Sequence, residues 1–129
     1  MAKGIVRRLD ELGRITVPIE HRRASGIEVL VPLDLSLEDN TIRLIPGKGR
    51  RMDELGRYTI PKEIRDINRW AEREVLEIYV EDGAICIRKY GCEWCPETQN
   101  LTEIDNHILC PHCIEKLVIK AKQLKIASA

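Results

Sequence analysis

The sequence has no phenylalanine, and aromatic residues make up only 4% of its 129 positions. Aliphatic side chains must therefore build the core. No apolar run approaches the roughly 20 residues that span a bilayer. The opening residues, MAKGIVRRLD, lack the apolar stretch of a signal peptide. These two absences give the expectation of a soluble, cytoplasmic protein. No Ser/His/Asp or Cys/His arrangement, phosphate loop or open metal site is legible, so an enzyme is set aside. An excess of one charge is missing too, with 21 basic residues against 21 acidic. That balance hides an asymmetry: residues 1–51 hold 10 basic and 7 acidic residues, 52–91 hold 7 and 9, and 92–129 hold 4 and 5. A site for a polyanion is expected near the front.

What is present is a repeat. DELGRITVPIE (Asp10–Glu20) returns as DELGRYTIPKE (Asp53–Glu63). The match extends at a constant offset of 43, from Gly4 and Gly47 through Arg7/Arg50, Arg8/Arg51, Arg22/Arg65 and Leu33/Leu76 to Ile42/Ile85, with no gap. This is an internal duplication. Each copy reads as a first strand (Gly4–Leu9, with its apolar positions lost in KGRRM), a polar turn with Gly13 or Gly56 at φ > 0, a short strand running into proline, a helix, and a hairpin. The second helix is expected over Lys62–Arg73 with Ile64, Ile67 and Trp70 or Ala71 on one face, and Gly26 is expected to stop the first one early. The hairpins turn at Asp39-Asn40 and Asp82-Gly83, and their second strands are expected at Thr41–Ile45 and Ala84–Lys89. Pro46–Gly49 is expected to form the turn between the copies. About 43 residues hardly bury a core alone, so two copies are expected to complete one barrel or sandwich.

GIVRRLDELGRITVPIEHRR and DELGRYTIPKEIRD…EVLEIYVEDGAICIRKY closely resemble the AbrB/SpoVT/MazE superfamily over residues 4–90. The resemblance implies a mainly β fold with short helices: a swapped-hairpin, AbrB-like β-barrel, here built from two internal repeats. It assigns residues 1–46 to repeat one and 47–91 to repeat two, together one pseudo-dimeric barrel that binds double-stranded DNA. It also implies that arginines of the first strand, the turn and the helix start face the DNA. These are Arg7, Arg8, Arg14, Arg22 and Arg23 in repeat one, and Arg50, Arg51, Arg57 and Arg65 in repeat two. Guanidinium forks suit both phosphate and guanine edges. Some of these arginines could instead pair with Asp10, Glu11, Asp53 or Glu54. The copies diverge: Arg22-Arg23 faces Arg65-Asp66, His21 faces Ile64, and Pro32 faces Val75. Unequal DNA contacts are expected, with Arg14 and Arg23 contributing more than Arg57.

Residues 92–129 form a separate tail. CEWC and CPHC place Cys92, Cys95, Cys110 and Cys113 as two Cys-x2-Cys pairs fourteen residues apart. Four thiolates at this spacing suit a structural, tetrahedral Zn²⁺ in a ribbon-like knuckle with no coordination position left for water. A rubredoxin-like iron site is the alternative, weakened because Pro96 and Ile114 stand where glycine usually follows each knuckle. His107 and His112 are expected to be surface or supporting residues, and Cys86 a small buried one. Beyond the knuckle, Ile114, Leu117, Val118, Ala121 and Leu124 mark an amphipathic helix. It is a candidate homodimer surface. The expected function is an AbrB-type transcriptional regulator, bacterial or phage-type and nucleoid-associated, with a zinc tail for oligomerisation or partner docking. The alternative is a protein-interaction module, antitoxin-like or an adaptor that docks a protein partner through the zinc tail.

Overall fold

The computed structural model describes residues 4–125. The chain separates into two compact units, one ending at Lys89 and the other beginning at Tyr90. The fold is mainly β, with a five-stranded antiparallel sheet and three short helices, consistent with an AbrB-like fold.

In the first unit the order is β1 (Ile5–Arg8), β2 (Arg14–Thr16), α1 (Ile19–Ser25), β3 (Pro32–Glu38), β4 (Thr41–Arg51), β5 (Arg57–Thr59), α2 (Lys62–Asn68), β6 (Val75–Glu81) and β7 (Ala84–Lys89). The large sheet runs β1-β6-β7-β4-β3, and β2 pairs with β5. Three of these pairings join the two copies: β1 with β6, β4 with β7, and β2 with β5. The core is shared in the same way. Leu9 and Met52, Ile15 and Tyr58, Val17 and Ile60, and Ile27 and Trp70 are all buried, and each pair is separated by the repeat offset. The backbone repeats with the sequence. Left-handed φ recurs at Gly13 and Gly56 (78° and 81°), Leu30 and Arg73 (66° each), and Asp39 and Asp82 (48° and 51°). Asn40 and Gly83 complete the two hairpin turns at φ 65° and 76°. Positive φ at both central residues gives these turns a twist that matches the flanking strands.

Two expectations are corrected. The second helix stops at Asn68, not Arg73. Arg69 turns left-handed at φ 60°, and the Trp70 N–H donates to Arg65 O at 2.8 Å. That cap turns the chain so that Trp70 enters the core, while Ile67 stays 63% exposed. Both helices thus have 7 residues, and that of repeat one is not the shorter. The second correction concerns Pro46–Gly49, which forms no turn between copies. It lies inside β4, which runs on to Arg51. The register shifts between Pro32 and Leu33, and Lys48 N–H donates to Asp34 Oδ1 at 2.9 Å. This bulge absorbs the extra residues. Arg51 then pairs with Pro32 as Arg8 pairs with Val75, so KGRR occupies the place of β1 in its own copy despite its lost apolar residues.

Alternation on β6 sends Leu76 and Ile78 to the core and Glu77 and Tyr79 to the other face. Glu77 is nevertheless buried. It accepts from Arg88 Nε at 3.0 Å and from Gly4 N–H at 3.1 Å, and the Arg88 guanidinium lies 4.9 Å from the Tyr79 ring centre. Burying a charge is tolerated when it is paired in this way.

The second unit holds the hairpin β8 (Thr102–Ile104) and β9 (His107–Leu109), followed by α3 (Pro111–Gln123). Cys110 caps α3 by accepting from Cys113 N–H, and proline suits the first helical turn. No helix among the described residues is long and apolar enough to cross a membrane.

Candidate nucleic-acid interface and metal centre

Each Asp-Glu-Leu-Gly-Arg turn is organised by its aspartate. Asp10 Oδ1 accepts the N–H groups of Leu12 (2.9 Å) and Arg14 (2.8 Å), and Oδ2 accepts Arg14 Nε at 2.7 Å. Asp53 repeats this with Leu55 (3.0 Å), Arg57 N–H (2.9 Å) and Arg57 Nε (2.6 Å). Burial pushes against ionisation of Asp10, but the bonds from Arg14 and Leu12 outweigh it and hold its carboxyl below the usual value. For Asp53 the Arg57 N–H is the largest influence, and its carboxyl is also lowered. Arg14 and Arg57 are therefore paired with these aspartates, with their side chains 28% and 33% exposed.

The helix-start arginines cross over. Arg65 Nε donates to Ile60 O at 3.0 Å, and its guanidinium lies against Gly13 of the other copy. Arg22 Nε donates to Val17 O at 3.2 Å, and its guanidinium lies against Gly56. The backbone follows the same crossing: Val17 N–H donates to Gly56 O at 2.8 Å, and Ile60 N–H to Gly13 O at 2.9 Å. Arg65 thus rests on the residue before Arg14, and Arg22 on the residue before Arg57. Arg23 is exposed beside Arg22. Arg7 and Arg8 stand on edge strand β1, where they donate to Val6 O and Arg73 O. Arg50 and Arg51 are exposed on the far end of β4, beside edge strand β3. The alternative named from the sequence, pairing of these arginines with Asp10 and Asp53, is seen in both turns for Arg14 and Arg57. The crossing could not be read from either copy alone.

In the second unit the four cysteines converge, with all their Sγ atoms within 4.8 Å of one another. Cys95 Sγ and Cys110 Sγ are 3.5 Å apart. Tetrahedral zinc with Zn–S near 2.3 Å needs S···S of about 3.8 Å. The donor set and its spacing therefore fit one ion. Trp94 N–H points at Cys92 Sγ (3.4 Å) and Cys113 N–H at Cys110 Sγ (3.5 Å), the kind of bond that supports a thiolate. Burial and the neighbouring thiols push Cys113 up to about 12. For Cys92 burial acts the same way, but the N–H groups of Cys110, Trp94 and Cys95 outweigh it and bring it to about 7. Crowded thiols resist joint ionisation, and a divalent cation removes that resistance. His107 does not join the cluster: its Nδ1 lies 3.0 Å from Glu93 Oε1, and Glu93 Oε2 accepts Ile108 N–H at 2.7 Å. His112 is exposed. Cys86 is buried in β7, with Arg43 Nη1 at 3.8 Å, and burial raises its thiol.

Residues 50–94 match the family described as "Antidote-toxin recognition MazE, bacterial antitoxin". The chain is also 51% identical over 41 residues to "Transition state regulatory protein AbrB" of Bacillus subtilis (strain 168). That stretch is 32% of this chain and 43% of the relative, so the chain spans less than half of the relative's length. No solved structure is significantly similar to the chain. The matching family and relative are, by their names, regulatory or antitoxin proteins.

Proposed function

We propose that this protein is a cytoplasmic, nucleoid-associated transcriptional regulator that binds double-stranded DNA. Residues 1–46 and 47–91 act as two repeats of one pseudo-dimeric barrel, and residues 92–129 as a structural zinc tail. Residues 1–3 and 126–129 of this division lie outside the described residues. Arg7, Arg8, Arg14, Arg22, Arg23, Arg50, Arg51, Arg57 and Arg65 supply the DNA contacts. The observation that carries the reading is the pair of turns in which Asp10 and Asp53 hold Arg14 and Arg57 by Nε. A guanidinium fixed in this way is pre-organised for phosphate or a base edge and loses little entropy on binding. Likeness to the AbrB regulator supports the same reading.

Zn²⁺ held by Cys92, Cys95, Cys110 and Cys113 supplies no chemistry beyond cross-linking the small tail. Helix α3 and its capping residue Leu124 then carry a homodimer surface: Leu117, Val118 and Leu124 are 46%, 43% and 57% exposed. A second reading is an antitoxin-like module that docks a protein partner through the tail; the family description, matched over residues 50–94, supports its antitoxin-like part. A mobility-shift titration of the full chain on random duplex DNA at several salt concentrations separates the two. Regulator function requires binding whose log affinity falls linearly with log salt. A shift that is absent or insensitive to salt leaves the partner-docking module.

A further inference from the structure

The helix start of each repeat is seated on the turn of the other, and this alters how the binding surface is divided. We infer that the chain contacts duplex DNA through two composite clusters, Arg14 with Arg65 and Arg57 with Arg22 and Arg23, which are unequal in a sense opposite to the sequence halves. The inference rests on the DNA-binding reading above and deepens it.

Four arginines share one arrangement. In Arg14, Arg57, Arg22 and Arg65, Nε is committed to a carboxylate or a carbonyl of the same repeat. Among the described residues no hydrogen bond engages their Nη groups, so the open end of each fork is available to an anion. The glycines make the crossing possible. An ideal Cβ on Gly13 would stand 2.6 Å from Arg65 Cζ, and one on Gly56 would stand 3.1 Å from Arg22 Nε. A guanidinium therefore rests directly on the turn that precedes the other repeat's arginine.

The repeats diverge next to these seats. Arg23 follows Arg22, and Asp66 follows Arg65. Because of the crossing, Arg23 follows the arginine that rests on Gly56, the residue before Arg57, and Asp66 follows the one that rests on Gly13, the residue before Arg14. Lys62 Nζ lies 4.0 Å from Asp66 Oδ2 in an exposed pair, which offsets that carboxylate weakly. The cluster around Arg57 is thus the stronger, although Arg14 lies in the more basic third of the chain.

The test measures the affinity of the zinc-loaded full chain for a random-sequence duplex against salt, by fluorescence anisotropy, with a melting curve for each variant. Arg57→Ala should weaken binding more than Arg14→Ala. The losses of Arg14→Ala and Arg65→Ala, which share a cluster, should depart from multiplying by about threefold or more, while those of Arg14→Ala and Arg22→Ala should multiply. Asp66→Arg should tighten binding in the wild-type and Arg57→Ala backgrounds, with a smaller gain in Arg14→Ala. Arg65→Gln replaces Arg65→Ala if the alanine variant melts early. Coupling of Arg14 with Arg22 instead of Arg65, or multiplying losses throughout, overturns the composite arrangement while DNA binding stands. A wild-type chain that does not bind DNA removes both the reading and the inference.

Discussion

The Arg65 guanidinium rests on Gly13, so close that a Cβ there would stand 2.6 Å from Cζ, although the two residues belong to different copies of the repeat. Arg22 and Gly56 make the mirror relationship with slightly more room. Gly13 also holds φ at 78°. A side chain there meets two obstacles: a left-handed backbone and an occupied seat.

Gly13→Ala is therefore expected to cost about 1–2 kcal/mol from the backbone alone, and to displace Arg65 as well. Gly26→Ala is the control, because Gly26 shares the left-handed φ (74°) but has nothing within 4 Å of its Cβ position. Urea melts should show both variants destabilised. DNA affinity should fall for Gly13→Ala only. An equal loss of affinity in the two would mean that the seat of Arg65 has no part in binding.

The aspartate clamps give a prediction whose sign is decisive. Replacing Asp10 or Asp53 by Asn removes a negative charge, which by long-range electrostatics alone would tighten DNA binding. Asn keeps an oxygen for the two N–H groups of the turn but presents an NH₂ to the arginine Nε, so the fork is released. Asp10→Asn and Asp53→Asn should therefore weaken binding. Tighter binding in either variant would show that the clamp does not orient its arginine.

The same carboxylates give a pH dependence. Both are held below the ordinary value of 3.8 in the folded chain. A depressed carboxylate contributes stability that is present above the unfolded value and is lost as pH falls through the folded one. The advantage of the wild type over Asp10→Asn should thus be full at neutral pH and shrink below pH 3.8. Thermal melts of both proteins across that range check it. A gap that stays constant into acid would contradict the lowered values.

Much of this was legible because the chain says it twice. The 43-residue offset announced the core pairs, and Asp39-Asn40 and Asp82-Gly83 fixed both hairpins, since those residues tolerate the left-handed region. The Cys-x2-Cys pairs disclosed the thiol cluster because metal spacing is a local signal. What sequence could not supply were the long-range choices. The helical pattern ran on to Trp70 or Ala71, but α2 stops at Asn68 and the turn at Arg69 takes Trp70 into the core. The run through Pro46–Gly49 looked like a turn from its glycines. Pairing with β3 made it strand, with Asp34 filling the bulge. The crossing of Arg22 and Arg65 is tertiary, and no window of sequence contains it.

The cysteine cluster predicts about one Zn²⁺ per chain. Elemental analysis of the purified protein should find it, and Cys110→Ser with Cys113→Ser should lose it. Cys86→Ser should keep it, because that thiol lies buried in β7 beside Ile85 and Ile87. Metal retained in the double variant, or lost in Cys86→Ser, would refute the assignment.

The last prediction separates pairing within the chain from association between chains. The first unit closes its pairings internally: β1 on β6, β2 on β5 and β4 on β7 all lie before Lys89. Its core draws matched residues from both copies. A chain cut after Tyr90 should therefore fold and sediment as a monomer. The full chain should sediment as a dimer, because α3 exposes Leu117, Val118 and Ile119, its capping residue Leu124 is exposed too, and Lys120 and Lys122 lie in its last turn. Leu117→Glu should return the full chain to a monomer and leave the melting of the first unit unchanged, since burying an unpaired carboxylate in an apolar interface is costly. An obligate dimer from the cut chain would instead place the pairing of the repeats between molecules. A monomer from the unaltered full chain would remove α3 as a dimer surface and leave its apolar residues to the zinc knuckle or to a different partner.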